Sequence, residues 1–265
     1  MSPRSFLAGG VGCAEEQAWN RAALAQPVSQ PALRLWSYAT PGIVLGCSQA
    51  AMQDRLADGA MPFAQRDSGG GAVLTGPWML SASIVLPPEH ALVNTGTVSS
   101  YRWLGVLHAG VLRDLGISAY AVPPEEARLA PPVDTLKWAC FGGLSPWEVV
   151  VGQRKIVGLA QVRRRTGVLL TSGTLIASPD WPLLCDALGD DPADAARLRA
   201  CTTSCADELG TPLLATVLAE RLHHMLIDVL GEYDVTRPPA GVRRRPRPPQ
   251  ADRTGHSQSC QIRVV

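Results

Sequence analysis

The spacing of apolar and polar residues divides the chain into alternating helical and extended stretches. Glu15 to Leu24 reads as a first helix, with Ala18, Ala22 and Leu24 on one side. Leu33 to Tyr38 alternates with the period of two of a half-buried strand, and Gly42 to Gly46 is a continuous apolar run bounded by turn residues. Ala72 to Thr75 and Met79 to Leu86 suggest a hairpin around Gly76-Pro77. From Ser99 to Leu115 the period lengthens again. Tyr101, Leu104, Leu107, Val111, Leu112 and Leu115 fall on one helical face, Gly116 supplies the stop, and His108 reads as a core histidine.

A Pro-rich loop (Val122 to Val133) follows, then three extended runs, Trp147 to Val151, Lys155 to Val162 and Val168 to Ile176. The last two are joined through Arg163-Arg164-Arg165-Thr166-Gly167, either a solvated hairpin tip or a docking surface for an acidic protein. From Trp181 the chain is helical again. Thr211 suits a cap, Pro212 the first helical position, and Leu214, Val217, Leu218, Leu222, Met225, Leu226 and Val229 form a stripe. The order predicts an α+β domain, a mixed β-sheet flanked by helices, over residues 1–235 with a helical part from about 180. Residues 236–265 are Pro- and Arg-rich, then polar without periodicity, and are expected to be a disordered basic tail.

Composition narrows the function classes. A formal net charge of +1 over 265 residues argues against nucleic acid as a specific partner. No apolar run approaches the roughly 20 residues that cross a bilayer, and Met1-Ser2-Pro3-Arg4 opens no signal-peptide pattern. A cytoplasmic protein is expected. Seven scattered cysteines are too few for a disulfide scaffold in a chain this long. Cys201 and Cys205 lack further ligands at zinc spacing, and the adjacent His223 and His224 diverge on a helix, so no metal site is expected.

Two stretches carry candidate chemistry. Arg66-Asp67-Ser68-Gly69-Gly70-Gly71-Ala72-Val73 combines an arginine with glycines whose amides can converge on an anion or a carbonyl oxygen, although a tight strand connection would look the same. It is neither a P-loop nor GxGxxG. About eighty residues on, Lys155 stands alone in the apolar run Arg154-Lys155-Ile156-Val157-Gly158.

Together these stretches, with Leu45-Gly46-Cys47-Ser48-Gln49, resemble the lipoate-protein ligase and octanoyltransferase family over Leu33 to Ile176. The resemblance implies a biotin/lipoate protein ligase-like fold, although the Gly-Arg-Gly-Arg-type loop of biotin ligases is absent. It also implies transfer of an octanoyl or lipoyl group to one lysine of a lipoyl domain or of a glycine-cleavage H protein. Arg66, Ser68, Gly69, Gly70, Gly71, Ala72, Val73 and Leu74 match the loop that wraps the acyl group. Lys155 matches the essential lysine, with Gly158 after it. A lysine there would polarise the acyl carbonyl. Buried against little apolar surface, it should be removable without loss of the fold.

The chain also departs from the ligases. Thr75-Gly76 stands where they carry His-Asp, Ser172 where they carry His, and their Arg-Asn-Asp triplet is missing. In its place Ala139-Cys140-Phe141, ahead of Pro146-Trp147-Glu148, is similar to the cysteine-dependent transferases of the superfamily. Cys140 is then the expected acyl carrier, since a thiolate both attacks and leaves a thioester well; a small buried apolar residue is its plain alternative. A transferase needs no cofactor and takes its acyl group from acyl carrier protein. A ligase needs ATP and Mg²⁺. A binding protein that lost turnover is the third reading, and a monomer is expected.

Overall fold

The computed structural model describes residues 6–57, 61–129, 136–189 and 191–232, all within one compact unit. The tail from residue 236 lies outside the described residues, as does the end of the Pro-rich loop. Strand β1 (Leu7–Val11) leads into helix α1 (Cys13–Ala23), then β2 (Ala32–Tyr38), β3 (Gly42–Leu45), α2 (Gln53–Ala57), β4 (Phe63–Gln65), β5 (Val73–Thr75) and β6 (Met79–Leu86). Helix α3 (Arg102–Asp114), β7 (Ala119–Ala121) and α4 (Pro124–Leu129) come next. Strands β8 (Val149–Val151), β9 (Arg154–Arg164) and β10 (Gly167–Leu175) are followed by four helices, α5 (Trp181–Leu188), α6 (Asp194–Cys201), α7 (Cys205–Leu209) and α8 (Ala215–Glu232).

A seven-stranded sheet runs β1-β2-β6-β10-β9-β8-β7, antiparallel except for the β1–β2 pair. A three-stranded sheet runs β4-β3-β5, with β3 and β4 parallel. Helices α3 and α8 close the larger core. Leu104, Leu107, Val111 and Leu112 of α3, and Leu218, Leu222 and Leu226 of α8, pack with Leu80, Ala82, Ile84 and Leu170 of the sheet. A second core joins the small sheet to Phe141, Trp181 and Leu184. This is the mixed α+β architecture expected from the order of elements.

Three local expectations fail, each for a physical reason. Val73–Thr75 and Met79–Leu86 do not form a hairpin, because β5 pairs with β3 and β6 pairs with β2 and β10. The connection spends its polar groups elsewhere: the carbonyl of Trp78 accepts from the amides of Ile176 and Ala177. Helix α8 starts three residues after Pro212, where the Leu214 carbonyl takes the amides of Val217 and Leu218. Helix α1 is turned over: Ala18 and Ala22 are exposed while Cys13, Glu16, Gln17 and Asn20 are buried. Alanine gains little from burial, and Glu16 finds a partner, whereas Asn20 Oδ1 is buried without one. The Tyr38 hydroxyl donates to the Glu16 carboxylate at 2.6 Å, and lies 2.8 Å from Ser81 Oγ.

Candidate functional site

The glycine loop owes its shape to Arg66. Its guanidinium donates to the carbonyls of Gly69 and Gly71, each at 2.9 Å, curling the loop back on itself. Gly70 sits at φ +95°, a conformation open to glycine and strained for other residues. Gly71 answers a different need, because a Cβ there would lie 2.6 Å from the backbone of Trp138 and Ala139. Asp67 pins the loop from outside through ion pairs with Arg21 (3.2 Å) and Arg164 (2.6 Å). Arg164 of the β9–β10 hairpin is therefore an internal tie. Among the described residues, no acceptor pairs with the amides of Gly69, Gly70 or Gly71, and Arg66 Nε is buried without a partner. These donors remain for an anion or a carbonyl oxygen.

Close approach at Gly71 brings the loop to the cysteine. The Ala72 amide donates to the Trp138 carbonyl (2.7 Å), and the Ala72 carbonyl accepts from the Cys140 amide (2.8 Å). Gln49 ties in the segment at 45–49, with Oε1 accepting from the Gly46 amide and Nε2 donating to the Trp138 carbonyl. Cys140 is half-buried and lines two cavities, together with Arg66 and Ser68. One cavity runs between α1 and the sheet past Gly158, which pairs with Gly173. Its wall is apolar at Val73, Met79 and Leu169, and Glu16, Asn20 and Tyr38 line it as well. Burial raises the Glu16 carboxyl above its ordinary value, partly offset by the Tyr38 hydrogen bond. Burial and the Glu16 carboxylate hold the Tyr38 phenol well above its own. The other cavity opens over Gly69, Gly70 and Gly71.

Lys155, Ala72 and Leu74 line neither cavity. Ala72 and Leu74 are core residues. Lys155 is 3% exposed, which excludes a snorkelling surface lysine. Its ammonium lies 2.7 Å from Glu148 Oε1 and donates to the carbonyls of Cys140 (2.9 Å) and Gly143 (3.1 Å). Its three protons thus meet three acceptors behind the cysteine turn. Glu148 escaped the sequence reading. The available signal was a carboxylate entering the apolar run Trp147 to Val151.

The two positions that depart from the ligases are also accounted for. Thr75 Oγ1 donates to the Gly42 carbonyl at 3.0 Å. Ser172 Oγ lies 2.9 Å from His108 Nε2, and Thr174 Oγ1 is 3.4 Å from His108 Nδ1. A histidine thus stands beside Ser172, contributed by α3. Burial lowers its pKa to about 4.

The comparisons with known proteins fit this geometry. Octanoyltransferase LipM of Kyrpidia tusciae is 32% identical over 214 residues, covering 76% of each chain. Octanoyltransferase LipM of Symbiobacterium thermophilum is 31% identical over 193 residues, covering 69% of each. Among solved structures, lipoate-protein ligase A bound with ATP superposes with a TM-score of 0.62 at 20% identity, over 85% of this chain and 83% of that one. The bipartite lipoate protein ligase of Thermoplasma acidophilum, described with its E2 lipoyl domain, gives 0.63 at 20% identity, over 85% and 82%. The model of the lipoyl protein ligase A/B catalytic domain matches residues 13–227, nearly the whole span from α1 to α8, and to that family the chain belongs.

Proposed function

We propose that this enzyme of protein lipoylation transfers an octanoyl group to a lysine of a lipoyl domain through an acyl-enzyme on Cys140. The observation that carries the reading is the position of Cys140. Its turn is laced to the glycine loop, and the residue lies on the shared wall of two cavities. The one lined by Val73, Met79 and Leu169 suits the acyl chain, worth about 0.8 kcal/mol per buried methylene. The one over the glycine loop suits the donor and then the acceptor. The Cys140 thiol gives up its proton and its sulfur attacks the carbonyl of an acyl thioester; a bond forms from sulfur to the acyl carbon, the carrier's carbon–sulfur bond breaks, and the carrier leaves as a thiol with that proton. The acceptor lysine amine then attacks the new thioester, an amide forms, and Cys140 is released as the thiol with loss of a proton from the amine. The unpaired loop amides are the donors for the oxyanion of each step. The relatives named as octanoyltransferases support this reading.

The same amides also favour a second reading, an ATP-dependent ligase. Three unpaired glycine N–H groups and Arg66 Nε could take a phosphate as readily as a carbonyl oxygen. In that case Arg66, Ser68 and Gly69 to Gly71 would hold the nucleotide, with Mg²⁺ as its counter-ion. Intact-mass analysis separates the two. Mixing with octanoyl-acyl carrier protein should add one octanoyl mass to Cys140, removable by hydroxylamine, and apo lipoyl domain should then collect it. Acylation of the domain only from octanoate, ATP and Mg²⁺ would install the ligase instead.

A further inference from the structure

Residues 140–148 reach from the turn of Cys140 to strand β8, and a buried pair of side chains holds much of their polar backbone. Glu148 is 2% exposed. Its Oε2 accepts the Ser145 amide at 2.7 Å and its Oε1 the Leu159 amide at 3.1 Å. The Lys155 ammonium bridges from that carboxylate to the carbonyls of Cys140 and Gly143. Glu148 is itself anchored from the far side. Its carbonyl accepts the Val122 amide, and the preceding residue, Trp147, turns at φ +69° to donate its own amide to the Val122 carbonyl. That φ is uncommon for a residue with a side chain, and it is held by bonds at both ends of the turn.

We propose that Glu148 is the positioning residue of the acyl-transfer site: it holds the Lys155 ammonium against the carbonyls of Cys140 and Gly143 and so fixes the turn that presents the thiol. The inference rests on Cys140 as the acyl carrier. A buried ammonium without a counter-charge tends to shed its proton. A neutral amine then has two N–H groups for three acceptors, and the turn loses a tie. Glu148 touches neither thiol nor substrate in this role; it acts through Lys155 and through the Ser145 amide of the same segment.

The test is a double-mutant cycle on the full chain with Glu148→Gln and Lys155→Met. Glu148→Gln keeps the size and an acceptor oxygen while removing the charge. Its kcat for octanoyl transfer should fall at least tenfold with KM unchanged. Glu148→Asp, which keeps the charge, should recover part of kcat. In the Lys155→Met background, adding Glu148→Gln should lower kcat by clearly less than it does in the wild-type background, the remainder coming from the Ser145 and Leu159 amides that lose an acceptor. An independent readout is the rate at which iodoacetamide alkylates Cys140, followed by peptide mass, which should differ severalfold between wild type and Glu148→Gln. Wild-type kcat and alkylation in Glu148→Gln, or an undiminished loss in the Lys155→Met background, would overturn the proposal. Absence of an octanoyl adduct on wild-type Cys140 refutes the transferase reading instead, and the alkylation rates still decide whether Glu148 positions the turn. If Glu148→Gln does not fold, Glu148→Asp, whose carboxylate is drawn back by one methylene, should still show a lower kcat and an altered alkylation rate, and wild-type values for both would overturn the proposal.

Discussion

Two buried basic side chains, Lys155 and His108, meet burial in opposite ways. His108, on the buried face of α3, has two hydroxyl groups of β10 for company, and burial keeps the ring neutral, its pKa lowered to about 4. Lys155 sits behind the cysteine turn with a carboxylate and two backbone carbonyls. The first site suits a neutral ring that bonds hydroxyls; the second provides a counter-charge and acceptors for every ammonium proton. Burial is common to both; what differs is the carboxylate that opposes the Lys155 charge beside a half-buried thiol.

The largest effect that would break this contrast is at Cys140. Cys140→Ala should lose both the octanoyl adduct and transfer, read by intact mass, since no neighbouring group replaces a thiolate. Retained lipoylation with octanoate and ATP would make Cys140 packing. Lys155→Ala comes next. Transfer should fall on the order of 10²-fold through misplacement of the thiol. Contrary to the sequence expectation, the fold should also weaken, by about 3–5 kcal/mol in a denaturant titration, because Glu148 is left buried without its partner. A smaller effect separates the glycines. Gly71→Ala should slow transfer by disturbing Trp138 and Ala139, whereas Gly69→Ala, with open space around a new Cβ, should be nearly silent. Equal rates in the two variants would reduce the loop to a simple connection.

His108 should show no effect on transfer and a clear one on stability. Its pKa is lower folded than unfolded, so the unfolded chain binds more protons between about pH 4 and 6.5. The contribution, about 3 kcal/mol, is therefore complete above pH 6.5 and lost as pH falls toward 4. His108→Gln should flatten that part of a stability-versus-pH curve while leaving kcat unchanged. A loss of kcat in this variant would erase the distinction between the two sites.

Long single-period segments were legible in the sequence: α3 with its Gly116 stop, and the β9–β10 hairpin at its arginine turn. Both rest on local spacing, which a one-dimensional pattern records. The glycine loop and Cys140 were each visible, but their contact across Ala72 joins residues almost seventy apart and has no spacing signature. Helix α1 misled because alanines outline a face as well as larger residues do, while the reason for burying Glu16 is a phenol on another strand. Glu148 lay hidden for a related reason. One carboxylate among 23 acidic residues becomes distinctive only when the fold brings it within 2.7 Å of the Lys155 ammonium.

The two hydrogen bonds through Ala72 have a dynamic consequence. A fluctuation that frees the Cys140 amide must also release the chain that carries the three glycines, so neither piece opens alone. In native-state hydrogen exchange, the Ala72 and Cys140 amides should behave as one opening unit with a common free energy. A substrate that captures the glycine amides would then slow exchange at both positions, and the thiol would be held most firmly while the acyl group is aboard.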